Sequence, residues 1–386
     1  MTTPLAERLT DSATDVVVCV GSGGVGKTTT AAALGLHAAE QGRRVAVLTI
    51  DPARRLAQAL GADAVDPEPH RVVGVETVHG EPAVLDVLLL DMRRTFDDVV
   101  RAHAPAERVE AILTHPLYES LASSLAGTQE YMAMERLGQL REEMTRTGRW
   151  DLLVVDTPPS RSALDFLDAP RRLGRFVDGR LLRVLSAPAR LGGRAGLKVV
   201  GGGLRLARGV VGALLGGSLV ADVQVLLSAL ESVLGGFRER ADRTYAALTS
   251  GSTAFVVVTS TEDASVTEAE HLVERLGSEG ITPAAIVVTR VVRAPGDPTT
   301  TAALEALDRS PGSLAEAALE EHVHRARRAR RHAAQLRSLR AKPGWEASLH
   351  VVPDRGTDVH DLLGLEVVAR DLTSARSTPG AGRRAR

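Results

Sequence analysis

The sequence predicts an α/β fold in which a mostly parallel β-sheet is flanked by helices on both faces. Three observations lead to this prediction. Short runs rich in β-branched residues recur along the chain, segments with helical spacing separate them, and a glycine-rich loop joins the first run to the first helix. The runs are apolar throughout instead of alternating, which is typical of strands buried on both faces. A parallel sheet between two helical layers accounts for all three observations.

Six runs are predicted as strands of this sheet. In chain order they are DVVVCV (15–20), RVAVLTI (44–50), DLLVVD (151–156), TAFVVVTS (253–260), AIVVTR (285–290) and SLHVVP (348–353). Because connections between parallel strands contain helices, the segments between these runs are predicted to be mainly helical. The carboxyl ends of the strands then meet at one edge of the sheet, where α/β proteins of this kind bind ligands.

Two longer segments interrupt the alternation of strand and helix. Residues 91–150 and 160–248 are predicted to form one helical subdomain inserted into a single domain that covers residues 1–386, because the strands resume afterwards. Within the insert, residues 171–216 are basic and rich in glycine, which disfavours regular helix. The tail, residues 374–386, has the composition of a disordered end.

Composition excludes several classes of protein. The formal net charge of the 386 residues is −1 and aromatic residues make up 3%, so neither bulk charge nor stacking favours a nucleic-acid partner. The one cysteine, Cys19, excludes an intrachain disulfide and a Cys-x-x-Cys zinc clasp within a single chain, so no structural zinc is expected. The first residues lack the apolar core of a signal peptide, and the predicted localisation is therefore cytoplasmic, peripheral to a membrane at most.

The segment Gly21–Thr28 follows the pattern G-x-x-x-x-G-K-T between a predicted strand and a predicted helix. Glycines in such a loop let backbone N–H groups turn towards phosphate oxygens, and the helix N-terminus adds a positive dipole end. Lys27 is predicted to reach the β- and γ-phosphates and Thr28 to bind Mg²⁺, so ATP and Mg²⁺ are the predicted cofactors. The residues of this segment predicted to contact the nucleotide are Gly21, Gly23, Gly24, Val25, Gly26, Lys27, Thr28 and Thr29.

Two aspartates at the ends of predicted strands complete the predicted nucleotide site. Asp156 ends the run LLVVD, where a carboxylate can hold Mg²⁺ together with Thr28. Asp51 follows the second strand and is expected at the same sheet edge. The alternative for each acid is a helix-capping role. Lys27, Asp51 and Asp156 are the predicted catalytic residues.

These motifs together resemble the anion-transporting ATPase family, which contains the ArsA arsenite-pump ATPases and the Get ATPases that target tail-anchored proteins. The resemblance rests on residues 21–56 and on DTPPSRSALDFL (156–167), and it extends to the late strands. It implies the fold of a P-loop NTPase of the deviant Walker A class. It also implies that Asp51 positions the attacking water, that Asp156 lies in the outer shell of the metal, and that residues 157–160 sense the γ-phosphate. By the same resemblance, Thr289 and Pro353 are expected near the base.

The resemblance further implies a dimer that closes on ATP and forms a surface for a hydrophobic client. Ser22 departs from the family, which carries at this position a lysine that reaches the phosphates of the other subunit. Three explanations stay open. Arg54 or Arg55 supplies the missing charge, a paralogous ATPase donates its lysine across a heterodimer, or the chain hydrolyses ATP slowly as a regulatory switch.

The predicted function is therefore a Mg²⁺-dependent ATPase, a partner-dependent dimeric switch that handles a hydrophobic or membrane-directed client. The alternative is a weakly catalytic or non-catalytic ATP-binding subunit of a heterodimer. Arsenite efflux ranks lower because the helical insert contains no cysteine. A ParA-like partitioning ATPase also ranks lower, although residues 321–340 form an arginine-rich helical pattern that is either a solvated face or a patch for nucleic acid or membrane.

Overall fold

The computed structural model describes most of the chain outside the middle of the predicted insert. The described residues are 4–50, 60, 68–115, 118, 129–158, 236, 239–294, 296, 299–307, 314–345 and 349–374. They belong to two compact units. The first unit contains Met1–Leu89, Glu143–Leu164 and Leu248–Arg386, and the second contains Leu90–Glu142 and Asp165–Ala247.

The first unit is built on one sheet, which has eight strands in the described part of the chain. The strands are β1 (Val16–Gly21), β2 (Val45–Thr49), β3 (His70–Arg71), β4 (Leu85–Leu89), β5 (Leu152–Asp156), β6 (Thr253–Thr259), β7 (Ala285–Val291) and β8 (Leu349–Pro353). Their spatial order is β3-β4-β2-β5-β1-β6-β7-β8. All neighbouring pairs are parallel except β3 with β4. The fold is the mostly parallel α/β architecture that the sequence predicts.

The helices begin and end at the following residues. They are α1 (Leu5–Thr10), α2 (Lys27–Glu40), α3 (Met92–His103), α4 (Ala106–Leu113), α5 (Gln129–Thr147), α6 (Asp263–Ser278), α7 (Thr300–Leu307), α8 (Leu314–Arg340) and α9 (Leu362–Thr373). Residues 239–248 are helical as well. Among the described residues, no helix is both long enough and apolar enough to cross a membrane.

All six predicted strands are present, but the sequence prediction omitted β3 and β4. The reason lies in Asp86, which interrupts the apolar run of β4 and yet is 1% exposed. Its carboxylate accepts hydrogen bonds from Arg71 Nε at 2.5 Å, Arg149 Nη2 at 3.2 Å and Trp150 Nε1 at 2.9 Å. A buried acid with three donors is tolerated inside a strand. The partners that make it tolerable lie far from β4 in sequence.

Arg43 stabilises the edge of the sheet at which the parallel strands begin, opposite the edge formed by their carboxyl ends. Its guanidinium donates to four carbonyl oxygens, those of Leu9 at 3.2 Å, Asp11 at 2.8 Å, Thr14 at 2.9 Å and Asp151 at 2.6 Å. It also donates from Nε to Asp151 Oδ1 at 2.6 Å. Because the side chain is only 10% exposed, these contacts replace water around a buried charge.

We expect Arg43→Met to lower the free energy of unfolding by about 3 kcal/mol, because the four carbonyls and Asp151 lose their common donor. The matched control is Arg44→Met. Arg44 is 49% exposed and pairs with the same Asp151 at 3.2 Å, so its loss should cost about 1 kcal/mol or less. Urea denaturation of the three proteins measures the difference. Equal losses for the two variants would show that burial of the Arg43 network does not matter.

The second unit contains helices from the predicted insert. Phe96 of α3 stacks on Tyr118 with ring centroids 5.7 Å apart, and Tyr118 Oη donates to Asp97 at 2.7 Å. Arg240 Nε donates to both carboxylate oxygens of Glu135 at 2.9 and 3.0 Å. The basic, glycine-rich segment 171–216 and the predicted tail from residue 375 onward lie outside the described residues, as does most of the predicted segment 160–248.

Candidate nucleotide-binding site

The loop between β1 and α2 lies at the carboxyl edge of the sheet, at the end of a strand with neighbours on both sides. β1 ends at Gly21 and α2 begins at Lys27. A Cβ at Gly21 would lie 2.0 Å from the carbonyl oxygen of Val258 on β6, so only glycine fits there. Gly26, the residue before α2, has φ 91°, a conformation that glycine adopts without strain. The glycines therefore fix the path of a loop that opens directly into a helix N-terminus.

Lys27 is the buried cation of this loop. It is 6% exposed, and its Nζ donates to the carbonyl oxygen of Ser22 at 2.8 Å. The side chain thus folds back over the loop that it belongs to, and its ammonium group is held against the loop backbone. This is the position from which a phosphate group bound in the loop would be within reach of the positive charge.

Asp156 is fully buried at the end of β5, and two hydroxyl groups converge on it. Thr28 Oγ1 donates to Asp156 Oδ2 at 2.7 Å, and Thr49 Oγ1 donates to the same oxygen at 3.1 Å. In the strand register, Asp156 lies beside Cys19 of β1 and beside Thr49 of β2. The sheet therefore brings the ends of three strands and the first turn of α2 to one point.

Thr49 was not among the predicted site residues. The signal that could have found it is a polar residue closing an otherwise apolar strand, two positions before Asp51. Thr157 is also fixed to the central strand, because its Oγ1 donates to the carbonyl oxygen of Cys19 at 2.7 Å. Burial, with the charge of Asp156 as a second cause and Lys27 opposing, raises the pKa of the Cys19 thiol. Cys19 is consequently a packing residue and not a reactive thiolate.

The donor atoms around Asp156 suit Mg²⁺. Thr28 and Asp156 offer a hydroxyl and a carboxylate oxygen 2.7 Å apart, and Mg²⁺ prefers oxygen ligands. The described residues contain no cluster of three or more His, Cys, Asp or Glu side chains that could hold a metal by themselves. A Mg²⁺ ion at this place would therefore depend on phosphate oxygens and water for its remaining ligands, as it does in phosphate-binding enzymes.

A cavity of about 390 Å³ extends from the loop along the ends of β7 and β8. Its lining includes Val25, Gly26 and Thr29 on the loop side, and Thr289 and Pro353 on the strand side. Thr289 Oγ1 lies 2.5 Å from the carbonyl oxygen of Val25 and 3.2 Å from that of Thr259. The two residues that the resemblance places near a base thus line one cavity with the phosphate loop, and Thr289 also braces that loop.

The family comparison covers this site. Residues 14–198 match the family model for anion-transporting ATPases. The chain is similar to this family over that segment, which is just under half of its length. The matched residues include β1, the loop, α2, β2 and β5, and together with the sheet they give the fold of a P-loop NTPase.

Individual relatives are similar to this chain over alignments of different length. Protein Rv2184c of Mycobacterium tuberculosis is 31% identical over 170 residues, which are 41% of this chain and 38% of the relative. The putative arsenical pump-driving ATPase 1 of Aquifex aeolicus is 29% identical over 160 residues, 40% of this chain and 38% of the relative. ATPase GET3 of Podospora anserina is 26% identical over 277 residues, 70% of this chain and 71% of the relative. The chain thus spans well under half the length of the first two relatives.

The structure places some of the predicted site residues and not others. The structure brings Lys27, Thr28 and Asp156 together at one sheet edge. Asp51 lies outside the described residues, together with Arg54, Arg55 and Ser160. Their roles therefore stay predictions, which rest on the resemblance to the family and on the positions of these residues in the sequence.

Proposed function

We propose that the chain binds ATP with Mg²⁺ at Gly21–Thr28 and hydrolyses it as a nucleotide-driven dimeric switch whose full turnover requires a partner. The observation that carries the proposal is the convergence of Lys27, Thr28 and Asp156 at the carboxyl edge of the sheet. A loop of backbone donors, a buried lysine and an acid bonded to the helix-opening threonine are the parts that phosphoryl transfer from ATP needs.

Each residue has a distinct task in this proposal. Lys27 exchanges the Ser22 carbonyl for phosphate oxygens, which are stronger partners for an ammonium group because they are charged. Thr28 and Asp156 hold the metal between them, directly or through water. Bound Mg²⁺ would neutralise charge on the β- and γ-phosphates. Thr157, fixed to β1 through its hydroxyl, begins the segment 157–160, which we propose as the sensor of the γ-phosphate.

Asp51 is the proposed residue that positions the attacking water. The end of β2 supports this, because Thr49 bonds to Asp156 at 3.1 Å and Asp51 follows only two residues later. Hydrolysis by a P-loop enzyme requires a group that orients water in line with the γ-phosphate.

Ser22 is the reason for proposing a partner. The residue is 9% exposed, and its buried Oγ has no hydrogen-bond partner within the described part of the chain. A hydroxyl so short cannot extend out of the loop to a second subunit, whereas a lysine could. A cation donated from another subunit can raise the hydrolysis rate about 10³-fold or more. The site therefore has the parts for binding ATP and lacks one charge for fast turnover.

The partner and the client are proposed by similarity. A second copy or a paralogous ATPase that carries the lysine would complete the site, and relatives named GET3 and arsenical pump-driving ATPase suggest a hydrophobic or membrane-directed client over nucleic acid. The second candidate function is a regulatory subunit that binds ATP with little or no hydrolysis. Ser22 favours this candidate, because the missing charge affects turnover and not binding.

A single substitution tests the account of Ser22. We expect Ser22→Lys to raise phosphate release by the chain alone at least tenfold, because each subunit of a homodimer can then donate a cation to the other. Ser22→Ala is the control, and it should leave both phosphate release and MgATP affinity near the wild-type values. If Ser22→Lys binds MgATP normally and phosphate release does not rise, the missing lysine is not what limits turnover.

A further inference from the structure

The backbone at the end of β7 is irregular. Arg290 has φ 53°, and within the described part of the chain it is the one non-glycine residue with a positive φ. The pairing of β7 with β8 also shifts register between Val288 and Val291. A side chain in the left-handed region costs free energy, and such residues are concentrated at functional sites. Bulges of this kind redirect side chains next to active sites.

The irregularity separates two neighbouring side chains. Thr289 is 6% exposed, and its hydroxyl lies against the carbonyl oxygens of Val25 and Thr259. Arg290 is exposed and contributes to the lining of the 390 Å³ cavity. The strained residue therefore allows Thr289 to brace the phosphate loop while Arg290 is presented to the cavity beside it.

Three other charged residues line this cavity, and two of them, Arg355 and Asp354, have charge partners, while Asp358 is exposed. Arg355 donates to Asp371, and Asp354 pairs with Arg328 at 3.8 Å. The side chain of Arg290 makes no hydrogen bond or ion pair with any residue that the structure describes. The guanidinium plane of Arg290 is accordingly available to a ligand.

The shape of the cavity indicates which part of a ligand would meet Arg290. Val352, Pro353, Val359 and Val368 provide apolar surface at the end away from the loop. None of the described lining residues is aromatic. A purine base needs a planar partner for its faces, and a guanidinium group stacks on bases as an aromatic ring does. Arg290 is the planar group of this lining that has no other partner.

We propose that Arg290 is a nucleotide-binding residue whose guanidinium stacks on the base of the bound nucleotide, opposite the apolar surface around Pro353. The inference rests on the proposed nucleotide function and extends it from the phosphates to the base. The sequence does not indicate this role, because an arginine near the end of a strand is an ordinary surface residue. The positive φ and the cavity distinguish Arg290 from the other exposed arginines.

Binding of MgATP to four variants tests the stacking. We expect Arg290→Ala to raise the Kd for MgATP about tenfold. Arg290→Lys should raise it as much, since lysine keeps the charge and loses the plane. Arg290→Gly should bind as weakly but have a higher thermal midpoint than Arg290→Ala, because glycine accepts the positive φ. Arg327→Ala, an exposed arginine of α8 outside the cavity, is the control and should bind like the wild type.

Each outcome decides between explanations. Wild-type affinity in Arg290→Ala would overturn the proposed role of Arg290. The proposed function would stand in that case, because the wild type binds MgATP. Wild-type affinity in Arg290→Lys would show that the charge of Arg290 matters and its plane does not. That result would also overturn the proposal. If the wild type itself binds no MgATP in the same titration, the proposed function fails, and this inference fails with it.

Discussion

Lys27→Ala is expected to raise the Kd for MgATP about 100-fold, the largest effect on binding that the structure predicts. Lys27 is 6% exposed and its ammonium group is held against the loop, so it would make charge-assisted bonds to phosphate oxygens. Two such bonds at roughly 1.5 kcal/mol each correspond to about two orders of magnitude in Kd. The loop itself is held by its glycines and by Thr289, and it should keep its path in the variant.

Isothermal titration of MgATP into the wild type and the variant measures this effect. The matched control is Lys342→Ala, because Lys342 is a partly exposed lysine that pairs with Glu270 at 2.7 Å and lies outside the site. The control should bind MgATP with the affinity of the wild type. A Lys27→Ala protein that still binds MgATP tightly would mean that the phosphates do not occupy the loop.

Asp156→Asn is expected to abolish the dependence of ATP affinity on Mg²⁺ and to reduce phosphate release at least 100-fold. The amide can still accept bonds from Thr28 and Thr49, so the fold should persist. It loses the negative charge that a metal needs at the junction of β1, β2 and β5. Affinity for ATP without Mg²⁺ should therefore stay close to the wild-type value.

Thr49→Val serves as the matched comparison for Asp156→Asn. It removes one donor to the same carboxylate oxygen, at 3.1 Å, in a side chain of similar shape, but it leaves the charge in place. Its phosphate release should fall only a few-fold. The measurement is phosphate release and ATP affinity over a Mg²⁺ titration for the three proteins. A Mg²⁺ dependence retained by Asp156→Asn would remove this residue from the metal site.

The apolar strands and the phosphate loop are predictable from sequence because their signals are local. Val16–Gly21 and the loop that follows are contiguous, and the glycine spacing alone specifies a turn into a helix. By contrast, β4 was missed because Asp86 suggests a solvent-exposed segment, whereas its donors Arg149 and Trp150 are more than sixty positions away. Burial of an acid depends on partners that only the folded chain brings together.

The residues of the site also differ in whether the sequence alone could identify them. Lys27, Thr28 and Asp156 could be named from their positions after strands, and the structure brings them together. Thr49 left a local signal that the prediction did not use, whereas the bracing role of Thr289 could not be named, because its contact joins residues 264 positions apart. Register and side-chain direction decide such contacts, and a local pattern fixes neither.

The central claim is that the chain binds ATP by itself and hydrolyses it fully only with a partner's charge. The direct measurement is phosphate release at saturating MgATP, first by the chain alone and then mixed with a paralogous ATPase that has lysine at the position of Ser22. The paralogue carries alanine in place of the lysine that corresponds to Lys27, so that it cannot turn over ATP itself, and it keeps the lysine at the position of Ser22. We predict slow release by the chain alone and a rise of at least tenfold in the mixture. Equal release in both, or none in either, would contradict the claim.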